Sequence, residues 1–414
     1  MQKTINEQTI SFMKEVYKVD YIKNNPTCYF YDLKIIKDNI DLLSSFAPKQ
    51  LKLFYAMKAN PNKDIMDFIR KQKFVSGVEI ASSGELEKAL NHFNNDEIIY
   101  TGPGKTEKEL EDAIKAKIRL INVESIVEAI RINKIAEKLN IDNVDILLRI
   151  NVNYSIVDAY ENMSGVSTKM GIDESQYSSA FEIINSLPRI SIKGIHVFAA
   201  SGVLRYESLI KSVIYIFDFV KRIEQTTNHI DIIDFGGGIG IDYTNNNEKF
   251  NIESYFKELE ILIQDYHFED KSIIMELGTY LVGNAGYYTA KIIDIKEIKG
   301  HKHIIIAGGV NHMGLPLEMR RKHPVHIIPI GELKLYDNQP TVKNELADIS
   351  GPLCMVTDKL SWDEYIEEAN IGDIVVFRQA GAYCYGEGMM DFLSHPRPLE
   401  LFVPESNYSI GKDL

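Results

Sequence analysis

One lysine follows an apolar stretch early in the chain. In the segment FYAMKANPN (residues 54–62), hydrophobic residues lead to Lys58, and the Pro-Asn pair ends the predicted strand. An ammonium group at the end of a buried strand is costly to desolvate, so such a lysine is paired, deprotonated or covalently modified. A neutral amine there is a nucleophile that condenses with an aldehyde. The alternative is a structural lysine whose amine extends into solvent.

A glycine run follows a later apolar stretch. The segment IDIIDFGGGIG (residues 230–240) places Gly236, Gly237 and Gly238 directly after a predicted strand. Glycines let the backbone approach a ligand closely, and their amides can bind an anion such as phosphate. The run is not a Walker loop, because no Gly-Lys-Ser/Thr sequence follows it. A flexible turn is the alternative, but the position at a strand end favours an anion site.

One carboxylate, Glu276, ends the next apolar strand in the segment MELGT (residues 275–279). A buried carboxylate needs a partner. A pyridine nitrogen would serve, because the carboxylate keeps it protonated and the ring then accepts electrons. The alternative is an ordinary salt bridge, for example with Arg149.

Two reactive side chains lie in the C-terminal third of the chain. Cys354, in GPLCMVTD (residues 351–358), is either a proton donor or a small buried hydrophobic residue. Tyr383 follows a strand and a glycine turn in QAGAY (residues 379–383). Taken alone, this tyrosine is interpreted as structural.

A repeating pattern of strands and helices must position these residues. From residue 51 a short apolar strand, a loop and an amphipathic helix recur. Eight strands that alternate with helices predict a (β/α)8 barrel, in which functional residues lie at the carboxyl ends of the strands. An open doubly wound sheet also fits the alternation, but usually has fewer strands before a domain break. The predicted strands are 51–57, 76–80, 97–100, 119–122, 145–152, 192–198, 230–235 and 272–276.

The pattern changes after about residue 285, where short strands separated by Gly and Pro turns predict a mostly β domain. One helix is predicted there, over residues 361–368. We therefore predict three parts. Residues 1–34 form an N-terminal arm and a strand that packs with the β domain, residues 35–285 form the barrel, and residues 286–414 form the β domain.

Composition excludes several classes of protein. With 414 residues, 45% hydrophobic and 25% charged, the chain has an ordinary globular composition. Its net charge of -13 argues against a nucleic-acid partner. No apolar run approaches the length of a membrane span. Three cysteines provide neither a disulfide framework nor a metal-ligand cluster, so we expect no metal and a cytoplasmic location.

Together these segments closely resemble the fold-type III pyridoxal phosphate (PLP)-dependent decarboxylases, the group of diaminopimelate and ornithine decarboxylases. The resemblance extends from about residue 26 to 404, with the blocks in the family's order. It implies an alanine racemase-like fold, in which the barrel precedes the β domain. The matching blocks are YAMKAN (55–60), VEIAS (78–82), TGPGKT (101–106), LRIN (148–151), KMGI (169–172), GGG (236–238), GPLC (351–354) and GAY (381–383).

The resemblance also implies a reaction and a set of roles. Lys58 would bind PLP covalently, and the α-carboxylate of an amino acid or its derivative would leave as CO2, so that an amine is the product. Cys354 of the partner subunit would return a proton to the α-carbon, so the active sites would be shared across a homodimer. The residues that would hold PLP with Lys58 are Arg149, Phe198, Ser201, Gly236, Gly237, Gly238, Glu276, Gly278 and Tyr383.

One departure concerns the face of the PLP ring. The family usually has a histidine there in a His-x-Gly-Ser pattern, whereas this chain has FAAS (residues 198–201). Phe198 would then stack on the ring in place of the histidine. His196 would share the same side of the strand only if the alternation of side chains holds.

Other departures concern charged contacts with the substrate. Diaminopimelate decarboxylases have Glu-Pro-Gly-Arg where this chain has ELGT (276–279), an arginine in the segment that here reads NHMGLP (311–316), and Cys-Glu-Ser where it has CMV (354–356). Each charged contact is worth about 1.5–3 kcal/mol. We therefore expect weak binding of free diaminopimelate.

The expected substrate is a modified or carrier-tethered amino acid from a siderophore or antibiotic pathway, and an acyl carrier protein is a candidate partner. Asp358, His312 and Arg320 are candidate substrate-binding residues. The run RRK (320–322) would bind an acidic group or a phosphopantetheine, or would be a solvated turn.

Three alternatives remain open. A decarboxylase of free diaminopimelate, ornithine or lysine would share the cofactor residues. A racemase would need a second base, and the decarboxylase-like segment around Cys354 argues against it. A silent regulator of the same fold would be expected to lose PLP-holding residues, which are present here.

Overall fold

The structure, a computed structural model, describes residues 5–19, 22, 26–226, 229–244, 246, 248–330 and 336–404. The strands are β1 (Thr27–Tyr31), β2 (Leu51–Ala56), β3 (Val75–Ile80), β4 (Ile98–Tyr100), β5 (Leu120–Val123), β6 (Val144–Asn151), β7 (Glu161–Asn162), β8 (Ile172–Asp173), β9 (Ile190–His196), β10 (Ala200–Ser201), β11 (Ile232–Asp234), β12 (Ser272–Leu277), β13 (Gly286–Ile298), β14 (His301–Ile306), β15 (Val325–Ile328), β16 (Val342–Ser350), β17 (Lys359–Ala369), β18 (Ile374–Arg378) and β19 (Leu399–Phe402).

The α-helices are α1 (Glu7–Val16), α2 (Leu33–Phe46), α3 (Lys63–Arg70), α4 (Ser83–Leu90), α5 (Glu107–Ala116), α6 (Ile126–Lys138), α7 (Tyr177–Asn185), α8 (Tyr206–Glu224), α9 (Ile252–Asp265), α10 (Thr279–Val282) and α11 (Leu315–Glu318). Among the described helices, none has both the length and the apolar character needed to cross a bilayer. The chain forms two compact units. One comprises Lys37–Ile241 and Lys249–Tyr280, and the other comprises Met1–Ile36, Asp242–Glu248 and Leu281–Leu414.

The first unit is a closed parallel barrel. Its strands are hydrogen-bonded in the order β5-β4-β3-β2-β12-β11-β9-β6, pairing between β5 and β6 closes the ring, and β8 pairs with the end of β6. The predicted (β/α)8 barrel is therefore confirmed, with each strand ending within two residues of its predicted bounds. The strands are almost continuously apolar because both of their faces are covered. The barrel interior contains Phe54, Ile99, Leu120, Leu147 and Ile274.

Several barrel helices begin with the same capping pattern. The hydroxyls of Ser82, Thr106 and Ser125 each accept a hydrogen bond from the backbone N–H three residues later, where the residue is a glutamate. A Ser/Thr followed by Glu at this spacing is a sequence signature of a helix N-terminus. The loops from β3 to α4, from β4 to α5 and from β5 to α6 are therefore short, whereas those that follow β6, β9 and β11 are longer.

The second unit contains a mixed sheet. Its strands run in the order β15-β18-β13-β14-β16-β17, and β1 pairs antiparallel with β13 and parallel with β19. The long strand β13 joins the part of the sheet that contains β15 and β18 to the part that contains β14, β16 and β17. It pairs with β1, β14 and β18. An apolar cluster of α1, β1, β13, β15 and β18 residues stabilises the N-terminal side of this sheet.

One predicted element is wrong. Residues 361–368, expected to be helical, belong to β17, which pairs antiparallel with β16. The strand β16 itself was not predicted. Charged and polar residues dominate both segments, so neither shows a clear apolar period, and the cross-strand hydrogen bonds decide their conformation.

A substitution at Gly194 of β9 tests the close packing of the barrel. A Cβ at this position would lie 1.8 Å from the carbonyl oxygen of Ile232 on β11, so we expect Gly194→Ala to destabilise the protein by at least about 1–3 kcal/mol. Gly104→Ala is the control, because no heavy atom lies within 4 Å of a Cβ built there. Urea unfolding followed by circular dichroism measures both. Equal midpoints for the two variants would contradict this packing.

Candidate active site

Polar side chains from neighbouring strands meet at the carboxyl end of the barrel. In the strand register, Arg149 pairs with His196, His196 with Asp234, and Asp234 with Ile274. Glu276 lies two residues beyond Ile274 and therefore points to the same face of β12 as that residue. The barrel thus collects its ionisable groups in adjacent layers of one end, as expected for a functional site in this fold.

Lys58 occupies a short turn directly after β2, and its amine is paired. The turn is a single 3-10 segment, Met57–Ala59. Lys58 Nζ donates a hydrogen bond to Glu79 Oε2 on β3 at 2.5 Å. The Glu79 side chain is almost completely buried, at 1% exposure, whereas that of Lys58 is 40% exposed. The amine is therefore accessible from the barrel mouth while a buried carboxylate holds it in place.

Asp234 and Glu276 form a second cluster with His196. A ring nitrogen of His196 and one carboxylate oxygen each of Asp234 and Glu276 lie within 4.8 Å of one another. All three residues are buried. Burial raises the pKa of Glu276 well above its usual range, and the neighbouring Asp234 raises it further. Burial also raises the pKa of Asp234. The pKa of His196 is well below its usual range because of burial and the charge of Arg149, so its imidazole is neutral.

The guanidinium of Arg149 is held by a buried ion pair. Arg149 Nη1 donates to Glu124 Oε1 at 2.8 Å, and both side chains are buried. Glu124 also accepts hydrogen bonds from the backbone N–H groups of Gly102 and Gly171, at 3.2 and 2.9 Å. One carboxylate therefore connects Arg149 to two loops of the barrel mouth.

The glycine run packs too closely for any side chain. A Cβ on Gly237 would lie 2.0 Å from the carbonyl oxygen of Glu276, and one on Gly236 would lie 2.4 Å from the Phe198 ring. Gly238 has φ +100°, a conformation that L-residues rarely adopt. The backbone of this run can therefore approach a ligand closely.

Three other candidates lie beside these groups. Phe198 is half-buried against Gly236, so its ring borders the glycine run rather than the deeper position taken by His196. Ser201 is half-buried in β10, which pairs with β7. A Cβ on Gly278 would lie 2.7 Å from Ala59 Cβ, so this glycine permits β12 to approach the lysine turn.

Comparison with known proteins identifies the family. Residues 33–283 match the family described as "Pyridoxal-dependent decarboxylase, pyridoxal binding domain". The chain belongs to the pyridoxal-dependent decarboxylases. It is an enzyme, a carboxy-lyase, and pyridoxal phosphate is its cofactor.

Two relatives of this decarboxylase are similar over almost their whole length. A 2-[(L-alanin-3-ylcarbamoyl)methyl]-2-hydroxybutanedioate decarboxylase from Staphylococcus aureus is 31% identical over 388 residues, with 93% of this chain and 96% of the relative covered. An L-glutamyl-[BtrI acyl-carrier protein] decarboxylase from Niallia circulans is 30% identical over 391 residues, with 92% and 90% covered.

Solved structures show the same fold. Diaminopimelate decarboxylase from Helicobacter pylori, complexed with L-lysine, superimposes with a TM-score of 0.82 at 26% identity and 92% coverage of both chains. Lysine decarboxylase from Selenomonas ruminantium has a TM-score of 0.80 at 20% identity and 98% coverage of both chains. The barrel followed by a β domain is thus shared with fold-type III decarboxylases.

The barrel residues of this decarboxylase fit PLP. Lys58 supplies an accessible amine, the glycine run supplies backbone amides without side chains, and Glu276 supplies a buried carboxylate. Within the described residues, Glu276 Oε1 has no hydrogen-bond donor. A protonated pyridine nitrogen would satisfy that oxygen, because it is a donor that carries positive charge.

The remaining candidates belong to the β-sheet unit. Tyr383 has φ +64°, an unusual conformation for a bulky residue that is often found at functional sites. His312 is buried, its Nδ1 lies 3.1 Å from the Tyr288 hydroxyl, and burial lowers its pKa to about 4. Arg320 is exposed with φ +48°. The roles of all three stay predictions.

Cys354 and Asp358 belong to one loop of this unit. The Cys354 thiol is exposed. Asp358 is buried, and its two oxygens accept hydrogen bonds from the N–H groups of Val310 and Leu353, each at 2.8 Å. These contacts use Asp358 to brace the loop that carries Cys354, and its predicted role in substrate binding stays a prediction.

Four further residues of the barrel site were assigned no role from the sequence. Glu79 is the penultimate residue of β3 and Glu124 directly follows β5, so their positions gave a signal. Their pairing with Lys58 and Arg149, however, joins residues 21 and 25 positions apart. Asp234 precedes the glycine run and His196 lies two residues before Phe198. Only the strand register shows that they meet.

The Glu124–Arg149 pair allows a direct test of buried charge. We expect Glu124→Gln to destabilise the protein by about 3–5 kcal/mol, because Arg149 then keeps an uncompensated buried charge. Glu111→Gln is the control, since Glu111 pairs with the exposed Lys115 and such surface pairs contribute about 0–1 kcal/mol. Urea unfolding measures both, and similar losses in the two variants would contradict the assigned role.

Proposed function

We propose that this enzyme decarboxylates a modified or carrier-tethered amino acid rather than free diaminopimelate. The main observation is that barrel residues which fit PLP are combined with uncharged residues where diaminopimelate decarboxylases carry charged ones. Thr279 stands at the position of the arginine in Glu-Pro-Gly-Arg, Met355 stands at that of the glutamate in Cys-Glu-Ser, and residues 311–316 contain no arginine. These side chains have no charge with which to bind the second amino-acid centre of diaminopimelate.

The relatives support this substrate class. The name of the Staphylococcus aureus relative specifies an alanine unit joined through a carbamoyl group to a hydroxybutanedioate, and that of the Niallia circulans relative specifies a glutamyl group on an acyl carrier protein. In both names the amino acid is conjugated. A siderophore or antibiotic pathway, with an acyl carrier protein as a candidate partner, follows as the proposed context.

Arg320 is the proposed contact for an acidic or phosphate-bearing part of such a substrate. Its neighbours in the basic run contact aromatic rings, since the Arg321 guanidinium lies 4.3 Å from the Tyr243 ring centroid and Lys322 Nζ lies 5.2 Å from that of Trp362. Arg320 instead extends from the surface. His312 and Asp358 would shape the same region through their buried hydrogen bonds.

Each of these barrel residues would have a separate role in binding the cofactor. Bound PLP supplies the electron sink that accepts the electron pair left when CO2 departs. Lys58 would bind the cofactor covalently, and Glu79 would hold or accept the proton of its amine. The amides of Gly236, Gly237 and Gly238, with Ser201, would bind the phosphate. Glu276 would keep the pyridine nitrogen protonated.

The remaining roles complete the proposed site. Phe198 would face the ring, Gly278 leaves room for the lysine turn, and Arg149 would orient the mouth loops through Glu124. Tyr383 would contact the cofactor. We further propose a homodimer in which Cys354 of the partner subunit donates the proton to the α-carbon, because its thiol is exposed on a loop that Asp358 braces.

A substrate panel tests the proposed function. The panel contains free meso-diaminopimelate, ornithine, lysine, arginine and glutamate, together with the conjugates named for the two relatives. We expect kcat/KM for one conjugate to exceed that for free diaminopimelate by at least about 100-fold, since two lost charged contacts of about 1.5 kcal/mol each correspond to that factor. CO2 release is the measurement.

Lys58→Ala is the control for the panel and should release no CO2 from any substrate. Fast turnover of a free amino acid by the wild type would refute the proposed substrate class. An absorption spectrum of the wild type that shows no covalently bound PLP would refute the role of Lys58.

Mixed dimers test the shared active site. Lys58→Ala and Cys354→Ala should each be nearly inactive alone. When the two variants are co-expressed, about half of the dimers combine them, and each such dimer has one intact site, so about a quarter of wild-type activity should return. The proposal would be refuted if the co-expressed variants were no more active than either variant alone. Full activity of Cys354→Ala would also refute it.

A further inference from the structure

Asp234 lies beside Glu276 at the carboxyl end of the barrel. It ends β11, next to β12, and the strand register places both side chains on the same face. The backbone connects the two residues, because Asp234 Oδ1 accepts the N–H of Gly236 at 2.8 Å and Gly236 O accepts the N–H of Glu276 at 2.8 Å. Among the described residues, Asp234 Oδ2 and Glu276 Oε1 have no hydrogen-bond donor.

Two nearby cationic side chains are hydrogen-bonded to other carboxylates. Lys58 is hydrogen-bonded to Glu79 at 2.5 Å, and Arg149 to Glu124 at 2.8 Å. The imidazole of His196, which is neutral, lies beside the pair, with its Nε2 3.8 Å from Glu276 Oε2. Two fully ionised carboxylates within 4.8 Å of each other in a buried site would repel strongly.

We propose that Asp234 and Glu276 form a carboxyl pair that shares one proton, and that Glu276 transfers this proton to the pyridine nitrogen of the cofactor. In that step the O–H bond breaks, the lone pair of the nitrogen takes the proton, and both carboxyl groups are left ionised. Asp234 is therefore a positioning residue that acts through Glu276. This inference rests on the proposed role of Glu276 at the ring nitrogen.

The pair also predicts how stability depends on pH before the cofactor binds. Burial raises the pKa of both groups in the folded state, so the folded chain binds more protons than the unfolded chain above pH 4. The stability of the cofactor-free protein should then fall as the pH rises from about 4 through the raised pKa. The groups that face the pair are Lys58, Glu79, Arg149 and His196.

Infrared spectroscopy of the full chain tests the shared proton directly. The cofactor-free wild type at pH 7 should show the C=O band of a protonated carboxyl group, and this band should disappear when PLP is added. Asp234→Asn should lose the band without PLP, because an amide donor replaces the shared proton. Glu276→Gln should lose it in the same way, so the test does not depend on the folding of one variant.

Asp231→Asn is the matched control, since Asp231 is an exposed acid three residues earlier, and it should keep the band. A wild type without the band at pH 7, or a band that persists in both Asp234→Asn and Glu276→Gln, would overturn the inference. Failure of the proposed function is distinguishable, because the substrate panel reports it while the infrared band of the cofactor-free chain is unaffected.

Discussion

Compensation of buried charge at the carboxyl end of the barrel is the constraint on which this structure depends. A buried carboxylate without a partner costs several kcal/mol, so each must be paired, hydrogen-bonded or protonated. Glu124 is paired with Arg149 and Glu79 with Lys58. Among the described residues, one oxygen of Asp234 and one of Glu276 have no hydrogen-bond partner, and the proposed cationic ring nitrogen would compensate this pair.

The barrel fixes the distances between these buried charged groups. Parallel strands with both faces covered form a rigid, apolar wall, and their carboxyl ends all emerge on one side. Capped helices start shortly after β3, β4 and β5 and keep those connecting loops short. The ionisable groups Arg149, His196, Asp234 and Glu276 lie at strand ends, and Lys58 lies in a short turn, which suits the proposed role of its amine.

The β-sheet unit shows a different way of positioning reactive groups. Its loops are fixed by side chains that bond to backbone amides, as Asp358 does for Val310 and Leu353. The exposed thiol of Cys354 thus belongs to a braced loop, and the backbone of Tyr383 is held at positive φ. Such local backbone strain is common at functional sites.

The sequence by itself determined the family and the barrel, and it predicts Lys58 as the reactive lysine, because an apolar strand that ends in Lys58 and a glycine run after a later strand are local patterns. The tertiary structure alone decided which charges meet. The pairing of Lys58 with Glu79, and the proximity of Asp234 to Glu276, depend on strand register across a closed barrel, and no local period encodes that register. For the same reason the polar strands β16 and β17 escaped prediction, since only their mutual hydrogen bonds define them.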